Sequence, residues 1–166
     1  EYTGYRVALT AEFPPMAVPL KLDITTGDKI TPKEIEYSFK LLLEERSISI
    51  LAYNLETILA EKLETVITRS DQNTRPRDYY DIYILLKLQS HNIGLTHLKA
   101  ALETTCEKRG SKEVVRNYIS CMDVVKASSS MQNQWKTYQT EYEYAADISF
   151  DDACDAVISI MKLLES

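Results

Sequence analysis

The chain has 166 residues, 45% of them hydrophobic and 27% charged, a composition that fits a folded globular protein and excludes a disordered one. Its formal net charge of −6 argues against non-specific binding along a nucleic-acid backbone, and no apolar run is long enough to span a bilayer. Three widely spaced cysteines and two histidines argue against a disulfide framework or a histidine-rich metal centre, so we expect reduced thiols in a cytoplasmic protein.

The first third of the chain predicts short β-strands. Alternating apolar residues mark Tyr5–Leu9 and Leu20–Ile24, and Ser47–Tyr53 is a third candidate. Turn signals bound the first two segments at Pro14-Pro15, Pro19 and Gly27-Asp28. We therefore expect a small sheet, in a β-rich part that covers residues 1–53.

After Asn54 the apolar spacing becomes helical, and we expect a helical domain over residues 54–166. Apolar residues at helical spacing predict a first helix over about Leu55–Val66. A second helix should begin at Pro76, because the fixed φ and missing N–H of proline suit the first helical turn. The buried face of this second helix would carry Tyr79, Ile82, Tyr83 and Leu86.

Two more helices are expected in the middle of the chain. The third runs from about Thr96 to Arg109 and is followed by Gly110, a residue type that commonly lies just past a helix end. Apolar residues over Val114–Val125 predict a fourth helix.

The C-terminal segment predicts a fifth helix around Trp135 and Tyr138, and a last one that begins near Ser149. Asp152 stands three residues after this serine, which makes a partial capping box. Together these elements predict an α+β fold, in which a small sheet precedes a helical bundle.

Two arginines and two acids crowd the start of the second predicted helix, in the sequence Arg75-Pro76-Arg77-Asp78-Tyr79-Tyr80-Asp81. Arg77, Asp78 and Asp81 can share one helix surface, because residues four apart are neighbours there. The cluster has two interpretations: an ordinary helix start with a surface ion pair, or a polar site beside a phosphate. The interpretation as a phosphate site is favoured by the basic residues concentrated in this part of the chain, namely Lys62, Arg69, Arg75 and Arg77.

Two further positions could carry chemistry. Strand alternation places Lys21 and Asp23 on one face, where the carboxylate could bind Mg²⁺, although a solvent-facing pair is the more common outcome of this pattern. Lys62 stands beside Glu61 within the first helix, and lysine is a common phosphate ligand. A solvated helix face would explain the same two charges.

Four short motifs then occur in a specific order: Pro19-Leu-Lys-Leu-Asp23-Ile, Gly27-Asp28, Leu59-Ala-Glu-Lys-Leu63 and Arg75-Pro-Arg-Asp-Tyr-Tyr-Asp-Ile-Tyr83. With them the chain resembles the AbiEii/AbiGii family of abortive-infection toxins, nucleotidyltransferase-like proteins that are usually encoded beside an antitoxin. The resemblance spans roughly Tyr2 to Leu86 and continues weakly through the helical part.

The resemblance implies part of a nucleotidyltransferase-type sheet followed by helices, and a Mg²⁺-dependent transfer from an NTP to an acceptor such as tRNA. Asp23 would be a strand-borne carboxylate of the metal site, and Lys62 would meet the nucleotide phosphates. Asp78 and Asp81 would complete the catalytic group. Lys21, Arg75 and Arg77 would bind substrate together with Lys62, and a cognate antitoxin would be the protein partner.

The chain departs from the family pattern at the first motif, a Gly-Ser or Gly-Gly followed by an Asp-x-Asp pair. No residues before Asp23 supply this motif. Gly110-Ser111 followed by Asp123 copies its spacing by coincidence, because Val125 stands in the place of the second acid. We expect this motif upstream of Glu1, in which case the chain by itself would not catalyse transfer.

Two alternatives remain open at the level of sequence. The helical half could be a non-enzymatic module that binds an antitoxin, another subunit or RNA. The chain could also be a degenerate relative that binds nucleotides without reacting them. The sequence does not indicate an oligomeric state.

Overall fold

The computed structural model describes residues 4–165, and in this range the strands come before the helices. The strands are β1 (Gly4–Phe13), β2 (Met16–Thr25), β3 (Ile35–Lys40) and β4 (Ser47–Ala52). The helices are α1 (Leu55–Arg69), α2 (Pro76–Gln89), α3 (Leu95–Arg109), α4 (Lys112–Arg116), α5 (Tyr118–Ala127), α6 (Ser129–Glu141) and α7 (Phe150–Glu165). Single turns of 3₁₀-helix lie at Ser70–Gln72, Ser90–Asn92 and Glu143–Ala145. The predicted α+β class is confirmed.

The strands form two separate antiparallel hairpins, β1–β2 and β3–β4. β2 is longer than predicted, because it runs through Pro19, which we had expected to bound it. The strand tolerates Pro19 because each strand of a two-stranded sheet has one free edge, where the missing N–H of a proline breaks no hydrogen bond of the sheet. The strand β3 was not predicted, although its residues alternate.

One face of the first hairpin is entirely apolar. The register pairs Val7 with Leu22 and Leu9 with Leu20, while Arg6 pairs with Asp23 on the opposite face. The apolar face consists of Tyr5, Val7, Leu9, Ala11, Phe13, Met16, Val18, Leu20, Leu22 and Ile24. Its large side chains are 37–66% exposed. The second hairpin has the same character, since its exposed apolar face pairs Tyr37 with Ile50 and Phe39 with Ile48.

The core lies in the helical part. α1 packs against α3 and α2, and α2 packs in turn against α6 and α7. Fully buried side chains include Leu59, Leu63, Ile67, Tyr79, Ile82, Leu98, Met122, Met131, Trp135 and Ile160. Tyr79 and Ile82 are buried as predicted, with Tyr83 and Leu86 partly buried against the same core. Within residues 4–165 no helix has the length and apolar character needed to cross a bilayer.

The helix ends follow the local sequence. Gly110 has φ 68° and its N–H bonds the carbonyls of Cys106 and Glu107, as expected of a glycine after a helix. Ser149 Oγ accepts the N–H of Asp152 at 3.0 Å and donates to its carboxylate at 2.6 Å, which confirms the predicted start of the last helix.

The single helix predicted over Val114–Val125 was wrong, because the chain breaks at Asn117 into α4 and α5. The Asn117 side-chain amide donates to the carbonyl of Glu113 at 2.9 Å. A short polar side chain that bonds the backbone competes with the helical ladder, which explains the break.

Candidate functional site

Lys62 is the centre of the candidate site. It lies on α1, and its Nζ is 2.8 Å from Asp78 Oδ1 and 2.8 Å from Asp81 Oδ2, both on α2. All three side chains are largely buried, with 22% of Lys62, 14% of Asp78 and 23% of Asp81 exposed. Two helices thus contribute to one ion-pair cluster, which explains why Asp78 and Asp81 lie at neighbouring positions of one helix face.

The charge of Lys62 is secured by these two acids. Burial alone would lower the pKa of Lys62, but the hydrogen bonds that Lys62 donates to Asp78 and Asp81, together with the charges of these acids, outweigh it and raise the pKa above its ordinary value of 10.5. The amine therefore stays protonated at neutral pH. It can stabilise negative charge but cannot act as a base or a nucleophile.

The two arginines of the motif have different environments. Arg77 is 75% exposed and lies 3.8 Å from Asp81 Oδ2, one helical turn away on the outer surface. Arg75 is the N-cap residue of α2 and lines a cavity.

This cavity has a volume of about 670 Å³ and lies against one side of α1. It brings Lys62, Asp78 and Arg75 together with Arg69, which ends α1. The remaining lining residues are Thr25, Asp28, Tyr53, Ile58, Glu61, Glu64, Thr65, Thr68 and Arg109. A cavity of this size and polarity is adequate for a nucleotide.

A second charge cluster fixes another wall of the cavity. Arg109 of α3 bonds Glu61 at 2.9 Å and also bonds Glu64, an acid with 5% of its side chain exposed. Arg109 further donates to Thr65 Oγ1 at 3.2 Å. The cluster joins α1 to α3. The sequence had shown Arg109 only as the last residue of a helix, because its partners are more than forty residues away.

Asp28 joins the hairpin region to the helices. Its Oδ2 accepts from Thr25 Oγ1 at 2.6 Å and from Tyr53 OH at 3.0 Å, and its Oδ1 accepts from Lys108 Nζ at 3.1 Å. The hydrogen bond from Thr25, aided by those from Lys108 and Tyr53, holds the pKa of Asp28 below its ordinary value of 3.8. The Gly27-Asp28 motif thus places one carboxylate on the cavity wall.

Asp23 and Lys21 are not among the residues that line this cavity. Asp23 lies on the polar face of the first hairpin with 61% of its side chain exposed. Arg6, on the paired strand, donates to Asp23 Oδ1 from Nε at 2.5 Å and to Asp23 Oδ2 from Nη2 at 2.9 Å. These hydrogen bonds lower the pKa of Asp23. Lys21 lies on the same face, opposite Ala8.

An aromatic cluster flanks the ion-pair cluster on α2. The rings of Tyr80 and Tyr144 are 4.8 Å apart, and so are those of Tyr138 and Tyr142. Burial raises the pKa of Tyr138, with further increases from the hydrogen bond to Tyr144 and from the charge of Asp81. The sequence had indicated Tyr79 and Tyr83 as core residues, whereas this second group of tyrosines extends from the core to the surface.

Comparison with known proteins gives one finding. A family model described as "Nucleotidyl transferase AbiEii toxin, Type IV TA system" matches residues 1–156. No curated protein and no solved structure matches the chain. The matched segment contains every residue that lines the cavity around Lys62.

Proposed function

The chain belongs to the AbiEii nucleotidyl transferase toxin family of type IV toxin–antitoxin systems, and from this membership we propose that it serves a transfer of a nucleotide from an NTP to an acceptor such as tRNA. The membership confirms the resemblance inferred from the four motifs, and it implies a cognate antitoxin. The NTP as donor, tRNA as a possible acceptor and the need for Mg²⁺ are all parts of this proposal.

The observation that supports this proposal is the cluster of Lys62, Asp78 and Asp81 beside a cavity. In nucleotidyl transfer an acceptor hydroxyl oxygen forms a bond to the α-phosphorus, and the bond to the pyrophosphate leaving group breaks. Catalysis of this kind needs positioning and cationic stabilisation more than covalent help. Lys62 and Arg75 would stabilise the charge on the phosphates. Asp78 would orient the acceptor hydroxyl or accept its proton.

The described residues do not form a complete Mg²⁺ site. No group of three or more carboxylate, histidine or cysteine side chains within residues 4–165 is arranged to hold a metal ion. Both oxygens of Asp23 are bound by Arg6. Asp23 as a metal ligand remains a proposal that rests on the resemblance of its motif, and we assign no step to the metal.

The proposal is tested in cells that express the gene that encodes this chain. We expect Asp78→Asn to relieve toxicity and so raise the plating efficiency at least tenfold. The substitution keeps the shape of the side chain, but it removes the negative charge that pairs with Lys62 and that would accept the proton of the acceptor hydroxyl. Asp23→Ala should relieve it as well. Asp123→Ala is the matched control, because this acid is exposed on α5 and lies outside the cavity.

The variant proteins must accumulate to the wild-type level, which immunoblotting verifies. Unchanged toxicity with both Asp78→Asn and Asp23→Ala would refute the proposed function.

A further inference from the structure

Four tyrosines of α2, α6 and the turn after α6 pack together and form one patch, the tyrosine surface, which consists of Tyr80, Tyr138, Tyr142 and Tyr144. The ring centroids of Tyr142 and Tyr144 are 5.4 Å apart. Tyr138 is buried, whereas 41% of Tyr142 and 52% of Tyr144 are exposed. Two large aromatic side chains are therefore open to a partner from solution.

The turn that carries Tyr142 and Tyr144 is held in place by hydrogen bonds. The hydroxyl groups of Tyr138 and Tyr144 are 3.1 Å apart and share a hydrogen bond. Gln139 Nε2 donates to the carbonyl of Ile148 at 2.9 Å, which fixes the other end of the turn. A preformed surface loses little conformational entropy when a partner binds to it.

Tyr142 and Tyr144 lie in a strongly acidic segment. Residues 137–161 contain no lysine or arginine and six acids, namely Glu141, Glu143, Asp147, Asp151, Asp152 and Asp155. The chain has 25 acidic and 19 basic residues, so these six acids account for its whole net charge of −6. A segment of this sign attracts cationic groups and repels a phosphate backbone.

The two acids next to the exposed rings have no cation of their own. Glu141 and Glu143 flank Tyr142 in the chain and are exposed. Within residues 4–165 neither carboxylate forms an ion pair or a side-chain hydrogen bond, whereas Asp155 of the same segment pairs with Lys126. Both glutamates are therefore available to a cation that a partner supplies.

The charges on α2 beside the tyrosine surface balance one another. Burial raises the pKa of Tyr138, and the charge of Asp81 raises it further while that of Arg77 lowers it, so both groups lie near this ring. Arg77 Nε is 3.8 Å from Asp81 Oδ2, and Lys62 binds Asp78 and Asp81. Two cations thus match two acids there, and the two glutamates determine the sign of the local charge.

We propose that the tyrosine surface binds an arginine-bearing segment of a partner protein, with guanidinium groups over the rings of Tyr142 and Tyr144 and paired with Glu141 and Glu143. A guanidinium is planar, so it stacks on an aromatic face and also binds a carboxylate through two N–H donors. Bases of single-stranded RNA stack on tyrosines as well, but the two unpaired glutamates would repel their phosphates. The inference is separate from nucleotide transfer and does not rest on it.

The test is isothermal titration of two synthetic peptides of equal charge, hexa-arginine and hexalysine, into the chain. We expect hexa-arginine to bind with a Kd below about 1 mM, and hexalysine to bind about threefold more weakly, because an ammonium group stacks less well on a ring. Tyr142→Leu and Tyr144→Leu should each raise the Kd of hexa-arginine about threefold, since leucine keeps an apolar side chain but has no aromatic face. Tyr37→Leu is the matched control, because this tyrosine is 51% exposed and lies on β3, and it should leave the Kd unchanged.

Substitutions of charged residues test the second part of the proposal. The double variant Glu141→Gln with Glu143→Gln should raise the Kd of hexa-arginine about fivefold. Arg77→Gln should lower the Kd about twofold, because it removes a like charge beside the rings and leaves Asp81 with one cation fewer. Asp123→Asn is the control, since this exposed acid lies on α5 outside the acidic segment.

Three results would overturn the inference. One is no binding of hexa-arginine by the wild-type chain. Another is equal binding of the two peptides that only the glutamate variant weakens, which would indicate attraction to charge without a role for the rings. The third is binding of a single-stranded RNA oligonucleotide that both Tyr142→Leu and Arg77→Gln weaken, with no effect of Tyr142→Leu on the peptide, which would assign the surface to nucleobases.

The comparison of the two peptides on the wild-type chain requires no substitution, so it decides the question even if a tyrosine variant unfolds. Circular dichroism of each variant checks that the helices are intact. The titration measures no nucleotide transfer, and its result therefore stands whether or not the proposed function holds.

Discussion

At the scale of single residues, the candidate site depends on long-range ion pairs that local patterns do not encode. The sequence predicted that Arg77, Asp78 and Asp81 share a helix face, because helical periodicity fixes this. It did not predict that Lys62 would bind both acids, since that contact requires α1 and α2 to pack. Arg109 was missed for the same reason.

The Asp28 carboxylate offers a pH-dependent test of these contacts. Its folded pKa lies below the ordinary 3.8, so it contributes stability that is fully present above pH 3.8 and is lost as the pH falls through the folded pKa. We expect Asp28→Asn to lower the free energy of unfolding by about 1 kcal/mol at pH 7, because it weakens the hydrogen bonds from Thr25 and Lys108. Urea unfolding at several pH values measures the difference.

The difference between wild type and Asp28→Asn should shrink as the pH falls below 3.8. Asp123→Asn serves as the control, because this exposed carboxylate has no hydrogen bond within the described part of the chain. A difference that is constant across the pH range would show that the Asp28 charge does not contribute.

At the scale of elements, Asn54 lies between the last strand and the first helix and makes hydrogen bonds to both the helix start and the loop before β3. Its Oδ1 accepts the N–H of Thr57 at 2.7 Å and so caps α1. Its Nδ2 donates to the carbonyls of Thr31 at 2.9 Å and Lys33 at 2.8 Å, which fixes the loop before β3. The change of periodicity at this residue could be predicted from the sequence, but the two bonds to the loop could not.

We expect Asn54→Ala to destabilise the chain by about 2 kcal/mol, because a buried residue loses both the cap and the bonds to the loop. Asn54→Ser is the matched variant: a serine still caps the helix but is too short to reach both carbonyls, so it should recover about 1 kcal/mol. Urea unfolding monitored by circular dichroism measures both. Equal losses in the two variants would mean that the cap contributes nothing.

Elements that were predicted correctly have strong local signals. The capping serine at Ser149 and the glycine at Gly110 define helix ends through bonds to their own neighbours. The break at Asn117 was missed because its signal is a single side chain within a continuous apolar stripe. The strand β3 was missed although its six residues alternate and Pro32 stands just before it, so here the local signal was present and was not used.

At the scale of the whole molecule, the helical part and the hairpins differ in how far their apolar side chains are buried. The helical part holds the core, while the apolar faces of both hairpins are exposed. Alternation in the sequence predicted which strand residues share a face, but it could not tell whether that face would be covered. The division into a β-rich part and a helical domain stays a prediction.

Exposed apolar faces of this extent promote self-association. We expect the chain to bind the dye ANS, and we expect the double variant Leu9→Thr with Leu20→Thr to reduce the fluorescence at least twofold, since these cross-strand partners lie in the middle of the apolar face. Threonine retains a high strand propensity. Sedimentation velocity should show less association in the same variant.

The control for this experiment is Ala8→Thr with Ala17→Thr, which introduces the same residue type on the polar face of the same hairpin. If both double variants reduce the dye signal equally, the apolar face is not its source.

The turn between α1 and α2 has a further consequence. Ser70 has φ 47° and ψ −131°, a backbone conformation that L-residues avoid at a cost of roughly 1–3 kcal/mol. The packing of α1 and α2 holds it there, and the cluster of Lys62, Asp78 and Asp81 exists only while those two helices stay together. By mass action, a nucleotide bound beside this cluster would then stabilise the native chain against unfolding. The nucleotide would act as a folding ligand as well as a substrate.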